Sequence, residues 1–431
     1  MTVSHLRPFV TVAQRGSITK ASRALNRAQS AVTRSILELE HEIGEPLFER
    51  SNQGVLLTAF GRTLLRRTHR ALQEMDTARD ELVAAAAKVS MHAPIFSLSI
   101  GVRRLLALTA LADQRHMGSV ASTLGISQSA VSQSIRQIES SLGLQLFERS
   151  IRGVRPNNLG SILSFYVKRA LSELRIAEDE IVSLGSGPSG QIIVGALLGR
   201  TTLLPEAALQ IIAQHPNLSV SIIEGSFEML VSSLRAGDVD FVLGTPRSAA
   251  TSTDITCEIV AHDTMVAIVR SGHPFLQRKG VTLAELASAQ WVLTHRNTST
   301  RALLEDVFSR HGLGPPRVAV ETANSSIIRK VLLDSDMITA LSSYQFHDDI
   351  VDGTLVTLKV VLPRAERSIG ILRRTDSHPS PGAELLMNQI RSVAARFPDH
   401  NLDMRLSRPV GSRWRIKPTA HPRIRATGSI D

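Results

Sequence analysis

Two groups of polar residues recur in this 431-residue chain at the same spacing, 99 positions apart. Each group has a Gln-Ser pair followed by two more polar side chains, three and four positions after the serine. On a helix such positions share one face, and their amide, hydroxyl and guanidinium groups suit the reading of base edges in the major groove of DNA. The predicted base-reading residues are Gln29, Ser30, Thr33, Arg34, Gln128, Ser129, Ser132 and Gln133. Three arginines, Arg50, Arg149 and Arg152, are expected to contact phosphates of the DNA backbone next to the bases that are read.

The repeat extends well beyond these residues. Residues 29–55 align with residues 128–154, and 15 of the 27 positions are identical, where chance would give about one or two. The first copy predicts a short N-terminal helix, a second helix that Thr19 caps, and a third over residues 30–43 with its apolar residues on one face. A tight turn at residues 51–54 joins two short extended segments. Three helices and a hairpin form a winged helix-turn-helix, so the chain is predicted to contain two such domains.

The net charge of +10 is concentrated in these repeats and at the C-terminus. Residues 1–90 carry +4 and residues 91–187 carry +3, whereas residues 188–398 carry −1 and residues 399–431 carry +4. A basic excess is typical of a protein that binds a polyanion. Double-stranded DNA is therefore the expected partner of the repeats. The alternative, a small helical domain with an ordinary polar face, is disfavoured because the unit is duplicated and basic.

A long helix is predicted after each hairpin, the first reaching about Lys88. Apolar residues at spacings of three and four are typical of a seam between paired helices. We expect the two seams to pair subunits in a dimer or tetramer, rather than to pack each helix only on its own domain. The seam residues are Leu72, Met75, Ala78, Leu82 and Ala85, which align with Leu171, Leu174, Ala177, Ile181 and Leu184.

The two copies differ at the start of the third helix and at the tip of the hairpin. The first copy has Ala28 where the second has Ser127, a predicted helix cap, and Gln53 where the second has Arg152. The second copy also leads straight into the neutral region. We therefore expect the second copy to be the main DNA reader. The first copy is either an additional tethered reader, which would raise avidity, or an interaction or autoinhibitory module.

These residues carry a resemblance to a known family. Residues 21–25, 29–32, 39–40, Gly44 and residues 47–50 resemble the DNA-binding domain of LysR-type transcriptional regulators. The resemblance implies that the helix starting at the Gln-Ser pair enters the major groove and that the following long helix pairs two subunits. It also implies promoter DNA, a small-molecule effector, further copies of the chain and RNA polymerase as partners.

The neutral region, residues 188–398, follows a linker at residues 186–190 and alternates short apolar runs with helical patterns. This alternation is typical of an α/β fold with mainly parallel sheets. Residues 234–240 and 271–274 resemble the effector domain of the same family, which implies two lobes around a ligand cleft, similar to periplasmic solute-binding proteins. Ligand-binding groups are then expected at strand ends and helix starts. The expected ligand-binding residues are Arg200, Thr201, Thr202, Thr245, Thr298, Ser299, Thr300 and Asn324.

Hydroxyls and backbone N–H groups at helix starts suit a carboxylate or a sugar, and Arg200 would pair with an anion. The expected effector is a sugar or an aromatic or other carboxylic acid. Taken singly, each of these residues is as consistent with an ordinary helix cap.

The sequence contains no recognisable catalytic constellation. Its histidines lack metal-ligand spacing, and neither G-x-S-x-G nor a glycine-rich phosphate loop occurs. The single cysteine, Cys257, excludes a disulfide within the chain and fits a reducing cytoplasm. No apolar run is long enough to span a membrane. We expect a cytoplasmic protein that is not an enzyme and that requires no metal or cofactor.

Residues 399–431 combine prolines with arginines and lack apolar periodicity, which is typical of a disordered tail with non-specific affinity for phosphate. Four parts are therefore predicted: winged helix-turn-helix domains with long helices at residues 1–90 and 91–187, an α/β effector domain at 188–398, and the tail. The predicted function is ligand-responsive, sequence-specific regulation of transcription. The alternative is a cytosolic small-molecule-binding protein whose helical repeats only oligomerise.

Overall fold

The computed structural model of the chain describes residues 1–51, 54–86, 88–150, 153–197, 203–246, 253–363 and 365–396. Its N-terminal part consists of two copies of one arrangement, in which three helices and a two-stranded hairpin are followed by a long helix. The first copy has α1 (Leu6–Arg15), α2 (Ile18–Leu25), α3 (Gln29–Ile43), β1 (Phe48–Ser51), β2 (Gly54–Leu57) and α4 (Ala59–Ala85). The second copy has α5 (Val102–Gln114), α6 (Met117–Leu124), α7 (Gln128–Leu142), β3 (Phe147–Ser150), β4 (Gly153–Pro156) and α8 (Asn158–Ser186).

Several residues that the copies share form the same contacts in each. The carboxylate of Glu40 accepts a hydrogen bond from the backbone N–H of Leu47 at 2.8 Å, and Glu139 accepts one from Leu146 at 2.8 Å. Each bond fixes the chain where it leaves the third helix. At Gly61, a Cβ atom would lie 2.1 Å from the carbonyl oxygen of Leu47, so only glycine fits the approach of the long helix to the hairpin. These repeated contacts explain why the repeated residues include glutamate and glycine.

The second helix of the first copy is capped by Ser17 and not by Thr19. Ser17 has an extended backbone, and its hydroxyl accepts a hydrogen bond from the N–H of Lys20. Thr19 lies inside the helix, where its hydroxyl donates to the side chain of Gln29 at 3.3 Å. The prediction of the cap was wrong because the capping position falls directly after Gly16, whose left-handed conformation (φ 61°) ends α1.

The long helices α4 and α8 pack against each other within the chain in antiparallel orientation. Arg67, near the start of α4, contacts Glu180, near the end of α8, at 2.5 Å. Glu81, near the end of α4, accepts a hydrogen bond from the hydroxyl of Tyr166, near the start of α8, at 2.5 Å. The predicted apolar seams meet between these contacts. The fully buried seam residues are Met75, Ala78, Leu82 and Ala177, with Leu174 and Ile181 nearly so.

The expectation that these seams pair two subunits stays a prediction, but within one chain each copy already covers most of the other copy's seam and leaves the end residues Ala85 and Leu184 exposed. The physical reason is the duplication itself. A partner helix on the same chain has a far higher effective concentration than one on a second chain. The pattern of apolar residues correctly indicated that each long helix packs against a second helix. It did not indicate whether that second helix belongs to the same chain or to another.

A buried charge cluster lies in this helix pair. The guanidinium of Arg67, whose side chain is 2% exposed, contacts Glu173 at 2.8 Å as well as Glu180. Burial opposes ionisation of Glu180, but hydrogen bonds from Arg67 and Arg66 outweigh it and lower the pKa of the carboxyl. Burial and the hydrogen bond to Glu81 raise the pKa of Tyr166 to about 12. Charges are thus tolerated between the helices because each is paired.

The C-terminal part has α/β architecture. Its first elements are β5 (Gly190–Leu197), α9 (Leu203–Gln214), β6 (Leu218–Gly225), α10 (Phe227–Ala236), β7 (Phe241–Gly244) and β8 (Ile255–Arg270). They are followed by α11 (Leu283–Ser288), β9 (Gln290–Leu293), α12 (Ser299–Arg310), β10 (Arg317–Glu321), α13 (Ser325–Asp334), β11 (Thr339–Ser342), α14 (His347–Val351), β12 (Leu355–Thr357), β13 (Glu366–Arg374) and α15 (Pro381–Ala394).

Strand pairing in this part is mixed. Strand β5 pairs in parallel with β6 and β7, and β9 pairs in parallel with β10. The 16-residue strand β8, however, pairs antiparallel with β11, β12 and β13, and β13 is also antiparallel to β7. The prediction of mainly parallel sheets is wrong for these two long strands. Their apolar pattern is interrupted by charges such as Asp263, which Arg367 neutralises from the position directly opposite on β13.

Separate hydrophobic cores stabilise the two ends of the α/β part. Around β5, Ile192 and Val194 pack with α9 and α15. Around β9, fully buried Trp291 packs with Phe308, and its indole N–H donates to the carbonyl oxygen of Leu286 at 2.8 Å. Among the described residues, no helix is long and apolar enough to cross a membrane. The predicted tail, residues 399–431, lies outside the described residues.

Replacing Arg67 with methionine should lower the free energy of unfolding by about 3–5 kcal/mol, because it leaves Glu173 and Glu180 buried without their partner. The measurement is chemical unfolding of the full chain at pH 7. The loss of unfolding free energy caused by the substitution should become smaller as the pH falls below 4.5, the ordinary pKa of a glutamate side chain. The pKa of Glu180 in the folded chain is lowered, so the stabilisation from its ionised form is lost when the carboxylate is protonated.

Arg66→Met is the matched control, since Arg66 also contacts Glu180 but has a side chain that is 56% exposed. It should change the free energy of unfolding by less than about 1 kcal/mol. Equal effects of the two variants would contradict a special role for the buried cluster.

Candidate functional site

The starts of α3 and α7 present the predicted base-reading residues on the surface. Gln29, Ser30 and Arg34 are exposed at the start of α3, and Thr33 is half-buried beside them. Arg34 forms an ion pair with Glu38 at 2.7 Å. An exposed ion pair of this kind contributes little to stability. The guanidinium of Arg34 can therefore exchange Glu38 for a partner that binds it more strongly. The opposite face of α3 is anchored in the core.

The second copy shows the same arrangement at α7. Gln128, Ser129 and Gln133 are exposed, and Ser132 is half-buried. All eight predicted base-reading residues therefore lie at exposed or half-buried positions in the first two turns of the two helices. The two sets occupy equivalent places in the two copies.

The caps of the two helices differ as the sequence predicted. Ser127 caps α7 by accepting a hydrogen bond from the N–H of Ala130 at 3.1 Å, whereas Ala28 provides no side-chain cap for α3. The unusual start of α6 is capped as well, because the ring nitrogen Nδ1 of His116 accepts from the N–H of Ser119 at 3.2 Å. The tip residues Gln53 and Arg152 lie outside the described residues.

Two exposed leucines distinguish the first copy and were missed from the sequence. Leu37 on α3 is 59% exposed, and its equivalent on α7 is the exposed Arg136. Leu56 on β2 is 52% exposed, and its equivalent on β4 is Arg155. Aligning the copies for charge as well as for identity would have revealed both exchanges. The second copy therefore has more positive charge on its third helix and hairpin.

The first copy has its cations elsewhere. Lys20, Arg23 and Arg27 are exposed on or beside α2, and no ion pair joins them to the residues that the structure describes. In helix-turn-helix proteins this helix crosses the DNA backbone, so these cations are placed to contact phosphates. Of the arginines that the sequence singled out for phosphate, Arg149 is exposed on β3. The side chain of Arg50 is not described.

In the α/β part, Thr298 and Ser299 line a cavity of about 150 Å³ where two helix starts converge. Thr298 caps α12 by accepting from the N–H of Arg301 at 3.3 Å. Ser226 caps α10 and lines the same cavity from the other side. Helix N-termini attract anions because their N–H groups and dipoles point outwards. His295 also lines the cavity, and its hydrogen bond to Glu321, at 2.9 Å, lowers the pKa of that carboxyl.

Ser226 was missed, although its position was readable. It lies between the end of β6 and the start of α10, and the same rule of strand ends and helix starts selected the other ligand-binding candidates. Gly225 and Phe227 beside it also line the cavity.

Of the remaining ligand-binding candidates, those that the structure describes do not line this cavity. Thr300 is buried and accepts a hydrogen bond from Arg367 at 3.3 Å. Asn324 is exposed and caps α13, while its neighbour Ala323 lines the cavity. Thr245 is half-buried after β7. Arg200, Thr201 and Thr202 lie outside the described residues.

Larger cavities, of about 610 and 620 Å³, lie between the long helices and the α/β part. Arg169 and Arg374 line one, and Lys168 and Asp238 line the other. Neither contains a ligand-binding residue predicted from the sequence. The smaller cavity is the better candidate for a ligand site, because two helix N-termini converge there. No group of three or more potential metal-binding side chains occurs among the described residues.

Comparison with known proteins assigns the chain. The family described as "Bacterial regulatory helix-turn-helix protein, lysR family" matches residues 3–62 and again residues 102–161, and "LysR substrate binding domain" matches residues 185–395. The HTH-type transcriptional regulator GalR of Pseudomonas putida is 39% identical over 389 residues, which cover 90% of this chain and 96% of that protein. The chain belongs to the LysR family. It is a transcriptional regulator of LysR type, with helix-turn-helix DNA-binding and substrate-binding regions.

Solved structures of LysR-type proteins have the same fold. Full-length OxyR from Pseudomonas aeruginosa, in a variant with one cysteine replaced by aspartate, is 22% identical with a TM-score of 0.52 and covers 69% of this chain and 97% of its own. CbnR in complex with its target DNA is 19% identical with a TM-score of 0.50 and covers 68% of this chain and 100% of its own. Each accounts for about two thirds of this LysR-type chain. The alignment with GalR is longer than everything after Ser90, so that relative is similar to part of the first copy as well.

The caps of α3 and α7 provide a matched pair of substitutions. Ala28 already has the extended backbone that a cap requires (φ −59°, ψ 143°), close to that of Ser127 (φ −76°, ψ 155°). Ser127→Ala should therefore lower the free energy of unfolding by about 1 kcal/mol, and Ala28→Ser should raise it by about 0.5–1 kcal/mol. Thermal unfolding of the full chain measures both, and effects of the same sign would contradict the assignment of the caps.

Proposed function

We propose that the chain is a ligand-responsive, sequence-specific regulator with two winged helix-turn-helix domains, at residues 1–90 and 91–187. Residues 188–398 would form a two-lobed effector domain similar to periplasmic solute-binding proteins, and residues 399–431 a basic tail that adds phosphate affinity. The observation that carries the proposal is the repeated, exposed Gln-Ser helix start, found at Gln29 and again at Gln128. It accords with the two separate matches to the LysR helix-turn-helix family.

In this proposal α3 and α7 enter major grooves and read bases with their first two turns. Glutamine recognises adenine through two hydrogen bonds, and arginine recognises guanine in the same manner. The hairpin arginines Arg50, Arg149 and Arg152 contact phosphates, which positions each domain on the duplex. Cations on or beside α2 serve the same purpose in the first domain. Because CbnR is known in complex with its target DNA, the same kind of partner is proposed for this chain.

The effector is proposed to be a carboxylic acid that binds between the lobes. The starts of α10 and α12 converge on the cavity with Ser226, Thr298 and Ser299, which suits a carboxylate better than a neutral sugar. The cavity of about 150 Å³ is below the usual range of about 300–1,000 Å³ for ligand sites. It therefore receives the carboxylate of a ligand, and the lobes must separate to admit the whole molecule. The other proposed contacts of the same cleft are Arg200, Thr201, Thr202, Thr245, Thr300 and Asn324.

Helix α8 is placed to transmit a change in the effector domain to the DNA-binding domains. Its residue Lys168 contacts Asp238 at 2.8 Å, and Arg175 forms an ion pair with Asp240. The opposite face of α8 packs on α4. An effector that favours one arrangement of the lobes would shift the position of α8 and thereby the two DNA-binding domains. Further copies of the chain and RNA polymerase are the proposed protein partners, and the cytoplasm is the proposed location.

Gln128→Ala should weaken binding to a selected DNA sequence about tenfold or more, because one bidentate base contact is lost. It should leave binding to unrelated DNA unchanged. Sequences selected from random duplexes by the full chain, followed by mobility-shift titration, provide the measurement. Gln214→Ala, an exposed glutamine at the end of α9, is the control and should have no effect. If the unaltered chain selects no sequence at moderate salt, the chain binds no operator directly and the proposal is wrong.

Carboxylic acids should raise the melting temperature of the full chain more than neutral sugars do, because only the acids place a charge at the two helix starts. Thr298→Ala should reduce this ligand-dependent shift. Thr282→Ala is a closely matched control, since Thr282 caps α11 by the same 3.3 Å hydrogen bond but does not line the cavity. Both variants should lose a little stability without ligand. An equal loss of the ligand-dependent shift in both would exclude a direct role for Thr298.

A further inference from the structure

One polar contact between α4 and α8 repeats under exchange of the two copies. Under the 99-residue shift, Arg67 is equivalent to Tyr166, and Glu81 is equivalent to Glu180. The contact from Arg67 to Glu180 therefore has its counterpart in the contact from Tyr166 to Glu81, both at 2.5 Å. Halfway between the two contacts lie residue 74 on α4 and residue 173 on α8, which are equivalent as well. An approximate two-fold axis thus passes through the centre of the helix pair and relates the two DNA-binding domains.

The connection between the copies is packed and does not behave as a free tether. Between α4 and α5, Ile95 and Leu98 are fully buried in the same core that contains both sets of helices. The N–H of Ser90 donates to the carbonyl oxygen of Leu142 at the end of α7, at 3.0 Å. At the N-terminus, the amino group of Met1 contacts Glu178 of α8 at 2.9 Å. The two domains are therefore held at a fixed separation by the chain itself.

Two-fold related reading helices match DNA elements that contain two half-sites in inverted orientation. In ordinary two-fold proteins the second helix comes from a second chain. We propose that here one chain is a complete two-half-site reader, with α7 in one half-site and α3 in the other. This inference rests on the proposed function, that α3 and α7 read DNA, and goes beyond it by assigning the number of chains and the symmetry of the operator element.

The two half-sites must also differ in sequence. The Gln-Ser pair is common to both helices, but Arg34 on α3 corresponds to Gln133 on α7. Arginine selects guanine and glutamine selects adenine. Leu37 replaces Arg136 one turn further on, and an exposed apolar side chain at a reading helix suits a thymine methyl group. The element is therefore an imperfect inverted repeat, and a single chain binds it in one orientation only.

The test is an exchange of the two distinguishing side chains in the full chain. Sequences are selected from random duplexes with the unaltered chain, with Arg34→Gln and with Gln133→Arg. Arg34→Gln should change the preferred base in one half-site, and Gln133→Arg should change it at the equivalent position of the other. Scrambling either half-site should weaken binding of the unaltered chain about tenfold or more. Gln214→Arg controls for added charge and should change no base preference.

A different pattern would overturn the inference. If two chains each contribute α7 and the first domain is not a reader, Gln133→Arg changes both half-sites equally and Arg34→Gln changes neither. Selection of a single half-site would overturn it as well. With either of these results, the proposed function as a sequence-specific regulator would still stand. If the unaltered chain selects no sequence at all, the proposed function itself fails, so the two failures are distinguishable. Thermal unfolding of each variant confirms that it is folded.

Discussion

The antiparallel contact between α4 and α8 is the interaction on which the N-terminal half depends. It covers the apolar seams of both long helices and joins two small domains into one hydrophobic core. The contact is also selective, because Arg67 is buried between Glu173 and Glu180. A sliding or reversed pairing would leave these charges in an apolar seam without partners.

The same contact connects DNA reading with ligand sensing. One face of α8 contacts α4, and another carries Lys168 and Arg175, which contact Asp238 and Asp240 of the α/β part. A movement of the α/β part would therefore act on α8 through these ion pairs. Because both DNA-binding domains belong to one chain, this coupling needs no second subunit. In the proposed single-chain reader, association of chains adds further operator elements and is not needed to complete one.

The two copies have kept the fold while diverging where they would touch DNA. The contacts that shape the unit are repeated almost atom for atom, as in the bonds from Leu47 to Glu40 and from Leu146 to Glu139. Beyond the shared Gln-Ser pair, several exposed residues are not repeated. Arginines occupy α7 and β4 where leucines occupy α3 and β2, and the first copy compensates with cations around α2. The expectation that the second copy is the main DNA reader stays a prediction, because the first copy has its positive charge on another surface.

The sequence alone determined the duplicated unit, the helices that begin at the Gln-Ser pairs, the cap at Ser127 and the α/β character of residues 188–398. Each of these depends on local spacing, which periodicity and capping chemistry report directly. Only the tertiary structure decided that α4 pairs with α8, that β8 and β13 run antiparallel to their neighbours, and that Ser226 and Thr298 line the same cavity. The physical reason is that an apolar stripe or a helix cap shows that a partner is needed. The choice among several suitable partners depends on distant parts of the chain. Here the partner is a second copy of the unit, 99 residues away.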